Sequence, residues 1–186
     1  MNIRVAATVV CGCWWIAEWL RSSVRDKRNT GELDKGSSRL WDVGHLIGVI
    51  GVIIGFTSRG HIQHWSESIA VSGFACMLTG IFVRWLAILT LGEHFTGRVA
   101  ICSHQRLVEA GLYRHVRHPA YAGALLAYLG MGLAFANWIS IVLLFSPILL
   151  AALYRIQVEE AVLSGVFGDE YAKYSARTKR LVPWIY

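Results

Sequence analysis

The chain has 186 residues, 55% of them hydrophobic and only 16% charged, with a mean hydropathy of +0.46. Soluble domains carry about 25% charged residues, so the composition argues against a freely soluble enzyme and for one membrane-embedded domain. The net charge of +6 does not indicate nucleic acid, because the basic residues lie between apolar runs instead of gathering on one face.

Five apolar segments follow one another at roughly 3–20, 41–57, 67–91, 119–136 and 138–155. The first opens on Met1 to Arg4, and its Trp14, Trp15, Glu18 and Trp19 suit a retained helix better than a signal peptide. Cys11 and Cys13 read as buried free thiols, and the four cysteines make no disulfide framework. The 25–38 stretch is polar and reads as a loop. Arg84 falls about two-thirds along the third segment, where a charge needs an inward partner; Glu18 is one candidate. Segments four and five turn at Asn137 and form a hairpin, and Pro147 is expected to kink the fifth. Beyond it, Val158 to Tyr174 reads as one further helix, weakened at Gly165 and Gly168.

Charge sets the expected orientation. The 21–40 loop, the 92–118 loop and the tail hold fifteen Lys and Arg, against Arg4 and Arg59 on the alternate side. The positive-inside rule then places those loops in the cytoplasm and the N-terminus outside. The expected fold is all-α and integral to the membrane, with five transmembrane helices and a cytoplasmic C-terminal helix. Residues 1–186 read as a single domain, with 1–80 as scaffold helices and 81–186 as catalytic core.

Two clusters carry chemistry. Pro119 suits the first position of helix four, which puts His118 at the helix entrance, with Tyr121 and Gly123 one turn in. Gly123 leaves room for the close approach of a backbone or ligand. Arg155 and Glu159 are four apart on one face of helix five; a simple helical pair there is worth ~0.2–0.5 kcal/mol. Because helices four and five form a hairpin, His118, Tyr121, Arg155 and Glu159 are expected at one membrane level. A metal centre using His115, His118, His104, Cys102 or Glu159 is disfavoured by the intervening Arg114 and Arg117.

The run GLYRHVRHPAYAG, ending at Gly123, resembles the RHPxYxG signature of the isoprenylcysteine carboxyl methyltransferases and their prokaryotic relatives. The closing stretch RIQVEEAVLSGVFGDEYAKYSARTKRLVPWIY is similar to the same family's C-terminal pattern. The resemblance covers about residues 80–186. It implies S-adenosylmethionine as cofactor, with Gln105, Arg106, Leu107 and Val108 cradling it by backbone. It further implies Tyr113 as a wall, and His118, Pro119, Ala120 and Tyr121 closing over the cofactor. Glu159 would hold its amino group, and Arg155 would face the acceptor; separately, the depth of Arg84 makes it a candidate acceptor contact unless it pairs inward or snorkels to the cytoplasmic surface. The sequence departs from the pattern at Ala120, where Ser is usual, and at Gln105-Arg106, where His-Thr or similar is common.

The expected activity is methyl transfer to a lipophilic or prenylated acceptor that enters from the bilayer, with Arg155, Glu159 and His118 as its catalytic residues, no metal, and membrane lipids as surroundings. The resemblance points to the inner membrane of a bacterium or archaeon with the site facing the cytoplasm. An NADPH-dependent sterol-type reductase, a phospholipid amine methyltransferase and a non-catalytic membrane assembly factor are the alternatives.

Overall fold

The computed structural model describes residues 2–25, 34–92, 95 and 106–182, those of 22–25 by backbone alone. The described residues form six α-helices: α1 (Ile3–Arg25), α2 (Ser37–Gly55), α3 (Ser66–Leu91), α4 (Pro119–Ala134), α5 (Trp138–Phe167) and α6 (Asp169–Arg177). A 3-10 turn at Gly111–Arg114 precedes α4. Four stretches are long and apolar enough to cross a membrane: Ile3–Arg21, Ser37–Gly55, Ser66–Leu91 and Trp138–Phe167. The fifth expected span, α4, is apolar but has 16 residues, short of the ~20 a bilayer core takes.

Two helix pairs make the body, α3 with α4 and α2 with α5, and the hairpin of α4 and α5 joins them. Small residues set both contacts. A Cβ on Gly80 would stand 2.3 Å from the Ala127 nitrogen, and one on Gly123 would stand 2.5 Å from the Arg84 nitrogen. The backbones of α3 and α4 therefore touch, the packing that small-residue spacing allows between apolar helices. The close approach expected at Gly123 is to the α3 backbone. On α2, every buried residue beyond Ser37 is a glycine: Gly44, Gly48, Gly51 and Gly55, facing side chains from Phe135 to Ile148.

Asn137 makes the hairpin turn as expected. Its side-chain oxygen accepts from the Ile139 and Ser140 nitrogens and caps α5, while its Nδ2 donates to the Arg59 carbonyl at 2.7 Å. The tail departs from expectation. One helix was expected across Val158 to Tyr174, but α5 continues unbroken past Gly165 to Phe167, with Pro147 inside it. Gly168 then takes a left-handed φ of 49°, and α6 starts afresh. A glycine within a helix costs about 1 kcal/mol and is tolerated; a glycine in the left-handed region is a stop.

Candidate functional site

The site is assembled at the entrance of α4. Pro119 occupies the first helical turn and His118 precedes it as the N-cap. The His118 carbonyl accepts from the Tyr121 and Ala122 nitrogens, each at 3.1 Å. The chain ahead of His118 is fixed from the tail. Arg117 N donates to the Lys179 carbonyl at 2.7 Å, His118 N donates to the Arg180 carbonyl at 3.0 Å, and Val116 pairs with Lys179 in a short parallel bridge. The His118 side chain is buried, with 3% of its surface exposed.

Two adjacent carboxylates of α5 flank that imidazole, and they differ in kind. Glu160 Oε1 lies 3.3 Å from His118 Nε2 and 3.0 Å from Arg117 Nε, and Arg180 NH2 lies 2.9 Å from its Oε2. Arg117 also donates to the Ser175 and Thr178 carbonyls, so Glu160 ties the tail to the start of α4. Glu159 is 34% exposed, and among the described residues its ion-pair contact is with His118 Nδ1 at 3.8 Å. Glu159 therefore keeps a carboxylate face for a cation from outside, whereas Glu160 already holds two guanidinium groups.

Arg155 is buried and donates from Nε to the Tyr121 hydroxyl at 2.8 Å. Its NH1 lies 3.5 Å from both Asp34 Oδ1 and Ser37 Oγ at the start of α2. The Tyr121 hydroxyl also lies beside Glu159, so Arg155, Tyr121, Glu159 and His118 form one chain of neighbours; the His118 and Tyr121 rings are 5.7 Å apart. The hairpin thus brings together the four residues that sequence placed at one level.

Arg84 is committed elsewhere. Its Nε and NH2 donate to the two oxygens of Glu18 at 2.6 and 3.1 Å, and its NH1 donates to the Ala120 carbonyl at 3.1 Å. Glu18 is the partner that the depth of Arg84 called for, and the guanidinium positions the first turn of α4.

Tyr113 is buried against Ala87 and Ala120. Its carbonyl accepts the Tyr174 hydroxyl at 2.8 Å. Burial pushes the Tyr174 phenol up to about 12 and raises that of Tyr113 further, so both stay protonated and Tyr174 can donate. Arg106, Leu107 and Val108 lie in the irregular chain before the 3-10 turn. Their neighbour Glu109 pairs with Arg177 of α6, whose guanidinium sits 6.0 Å over the Tyr174 ring. That stretch is thereby moored beside Tyr113. Gln105, and the Cys102 and His104 weighed as metal ligands, lie outside the described residues.

Sequence reasoning gave no role to Glu160, Arg180, Asp34 or Ser37, and used Arg117 only as an argument against a metal. The doubled acid at 159–160 was the available signal for Glu160; the two residues of α2 are distant in sequence and carry none.

The profile of the isoprenylcysteine carboxyl methyltransferase (ICMT) family matches residues 73–165. The chain belongs to this family. It is 33% identical over 125 residues to protein-S-isoprenylcysteine O-methyltransferase B of Arabidopsis thaliana, covering 66% of this chain and 62% of that protein. The Schizosaccharomyces pombe protein-S-isoprenylcysteine O-methyltransferase is 36% identical over 116 residues, covering 61% of this chain and 48% of the relative. Methanethiol S-methyltransferase 1 of Bradyrhizobium diazoefficiens is 28% identical over 127 residues, covering 63% and 41%. A solved structure of the eukaryotic intramembrane Ras methyltransferase ICMT superposes with a TM-score of 0.54 at 30% identity, covering 66% of this chain and 44% of that one. The chain thus spans less than two thirds of the length of these relatives. Its apolar helices and its family make it an integral membrane protein.

Proposed function

We propose that this protein transfers a methyl group from S-adenosylmethionine to the carboxylate of a lipid-borne, prenylcysteine-like acceptor at the cytoplasmic face of a bacterial or archaeal inner membrane. The observation that carries the reading is the pair of unlike carboxylates beside His118: Glu160 saturated by arginines, Glu159 about one-third exposed and able to take an ammonium group. Four helices of spanning length, the shorter apolar α4 and the fifteen cationic residues of the alternate loops support five crossings with the N-terminus outside. Residues 81–186 act as the core in this reading, with 1–80 supporting it.

S-adenosylmethionine, when bound, supplies an electrophilic methyl on a sulfonium whose charge disappears on transfer. A carboxylate acceptor is already ionised near neutral pH, so this chain needs no general base. Its task is orientation and exclusion of water. Arg155 faces the acceptor carboxylate, and Tyr121 holds that guanidinium by its Nε. Glu159 receives the cofactor ammonium, and His118, fixed by Glu160 and by the Arg180 carbonyl, closes the cofactor side. Tyr113 walls the site, and the 106–108 backbone would lie along the cofactor. Arg84 serves through Ala120.

The test is affinity of the detergent-purified protein for S-adenosylmethionine, S-adenosylhomocysteine and NADPH. S-adenosylhomocysteine binding is expected, weakened roughly 10- to 100-fold in Glu159→Ala, since a lost charge-assisted hydrogen bond is worth about 1.5–3 kcal/mol. His118→Ala should weaken it as well. Binding of NADPH alone overturns the reading in favour of a reductase; methylation of a small thiol but no carboxylate moves the acceptor atom to sulfur.

A further inference from the structure

From Tyr121 a file of rings leads away from the site into the apolar body. The Tyr121 ring is 5.8 Å from that of Trp41, Trp41 is 5.9 Å from His45, and His45 is 5.7 Å from Tyr128. Tyr121 and Tyr128 stand seven residues apart on one face of α4, so the file reaches roughly 10 Å deeper than the site. α1 and α2 each pack on α4. Trp15 of α1 closes the far end, its ring 5.6 Å from His45 and 6.2 Å from Tyr128. Trp15, Trp41 and His45 keep part of their surface uncovered, whereas Tyr128 is 1% exposed.

That far end is polar and unsatisfied. The Tyr128 hydroxyl and Trp15 Nε1 are both buried, and neither has a hydrogen-bond partner. The indole N–H stands beside the Tyr128 oxygen, but a bond between them would still leave the phenolic proton without an acceptor. His45 Nδ1 lies 2.9 Å from the Trp41 carbonyl. A carbonyl only accepts, so Nδ1 carries the proton, and the neutral ring presents Nε2 as an acceptor. Three rings in mutual contact therefore offer two donors and one acceptor, in a setting where unpaired polar groups are costly. One hydroxyl group is their complement, since it accepts twice and donates once. A carbonyl would leave His45 bare, and hydrocarbon would leave all three bare.

We propose that Trp15, His45 and Tyr128 form a hydroxyl-binding subsite inside the bilayer, and that the acceptor is a lipid acid whose chain carries a hydroxyl about 10 Å from its carboxylate. The proposal rests on the acceptor carboxylate lying at Arg155 beside Tyr121. The chain between the two groups lies along Trp41, and roughly nine bonds span that depth. A trapped water has the same hydrogen-bonding complement, and it is the alternative that the test separates.

The experiment measures binding of two S-alkylcysteine acids of equal length to the full chain in detergent, saturated with S-adenosylhomocysteine. One acid carries a hydroxyl about nine bonds from the carboxyl carbon and the other lacks it. The wild-type protein is expected to bind the hydroxylated acid roughly tenfold more tightly, because the plain chain strands the buried donors. Tyr128→Phe keeps the ring and removes one donor. It should bring the two acids within about twofold of each other and leave S-adenosylhomocysteine affinity in place. Trp15→Phe removes the other donor and should narrow the same gap. Equal affinities in the wild-type protein, the mark of a subsite held by water alone, overturn the proposal and leave the carboxylate reading intact. A preference that survives in both variants does the same. Failure of both acids to bind, with S-adenosylhomocysteine bound, overturns both.

Discussion

At the scale of residues, neighbouring acids with one chemistry have been given two tasks by what surrounds them. Glu159 faces partly outward beside one imidazole, and Glu160 faces inward between two guanidinium groups. Removing one partner of a buried pair strands the others. Glu160→Gln is therefore expected to cost about 2 kcal/mol of stability, discounted from the fully buried case because 14% of its side chain is exposed. A melting curve checks this, and an unchanged midpoint would show that the tail is held by its backbone bonds alone. Glu159→Gln should leave the midpoint in place and act on cofactor affinity. The sequence made Glu159, Arg155, His118 and Tyr121 legible because helical spacing and a hairpin suffice to bring them level. It did not separate the duties of the two acids, since that depends on Arg117 and on Arg180, twenty residues down the chain from Glu160.

At the scale of elements, packing follows the smallest residues. Hydropathy located four apolar segments and the start of the fifth within a few residues, because length and composition decide them, but α5 runs twelve residues past the expected end at 155. It could not tell that Gly165 sits inside a helix while Gly168 ends one, since a left-handed φ is a property of the tertiary turn. The contact of α3 with α4 is where a single methyl should matter most. Gly123→Ala is expected to lose about 1–3 kcal/mol through overpacking against the Arg84 backbone. It should also weaken S-adenosylhomocysteine, because the same turn carries Ala120 and Tyr121. Gly12→Ala, whose added Cβ meets nothing within 4 Å, is the control. Thermal shift with and without ligand reads both effects, and a silent Gly123→Ala would mean that α3 and α4 can slide apart freely.

At the scale of the whole molecule, the first helix packs its aromatic residues on the rest and adds a part-buried ion pair. Glu18 of α1 grips Arg84 of α3, and Arg84 in turn grips the Ala120 carbonyl at the start of α4. Glu18→Gln is expected to destabilise the protein by roughly 3 kcal/mol, because it leaves Arg84 without its counter-charge. A combined Glu18→Gln and Arg84→Met variant should recover much of that loss, as an apolar replacement removes the stranded cation. Denaturation of the single and double variants compares the two, and equal losses in both would place the fastening elsewhere. The sequence offered Glu18 only as one candidate partner, because two helices 66 residues apart meet through tertiary packing alone.

The backbone contacts of Arg117 and His118 with Lys179 and Arg180 have a consequence for biogenesis. During synthesis the hairpin of α4 and α5 leaves the ribosome ahead of residue 180. Until then the imidazole has neither its strand partner nor a fully assembled Glu160 clamp. Competence to bind a ligand is thus acquired only once residues 179 and 180 have joined a hairpin already made.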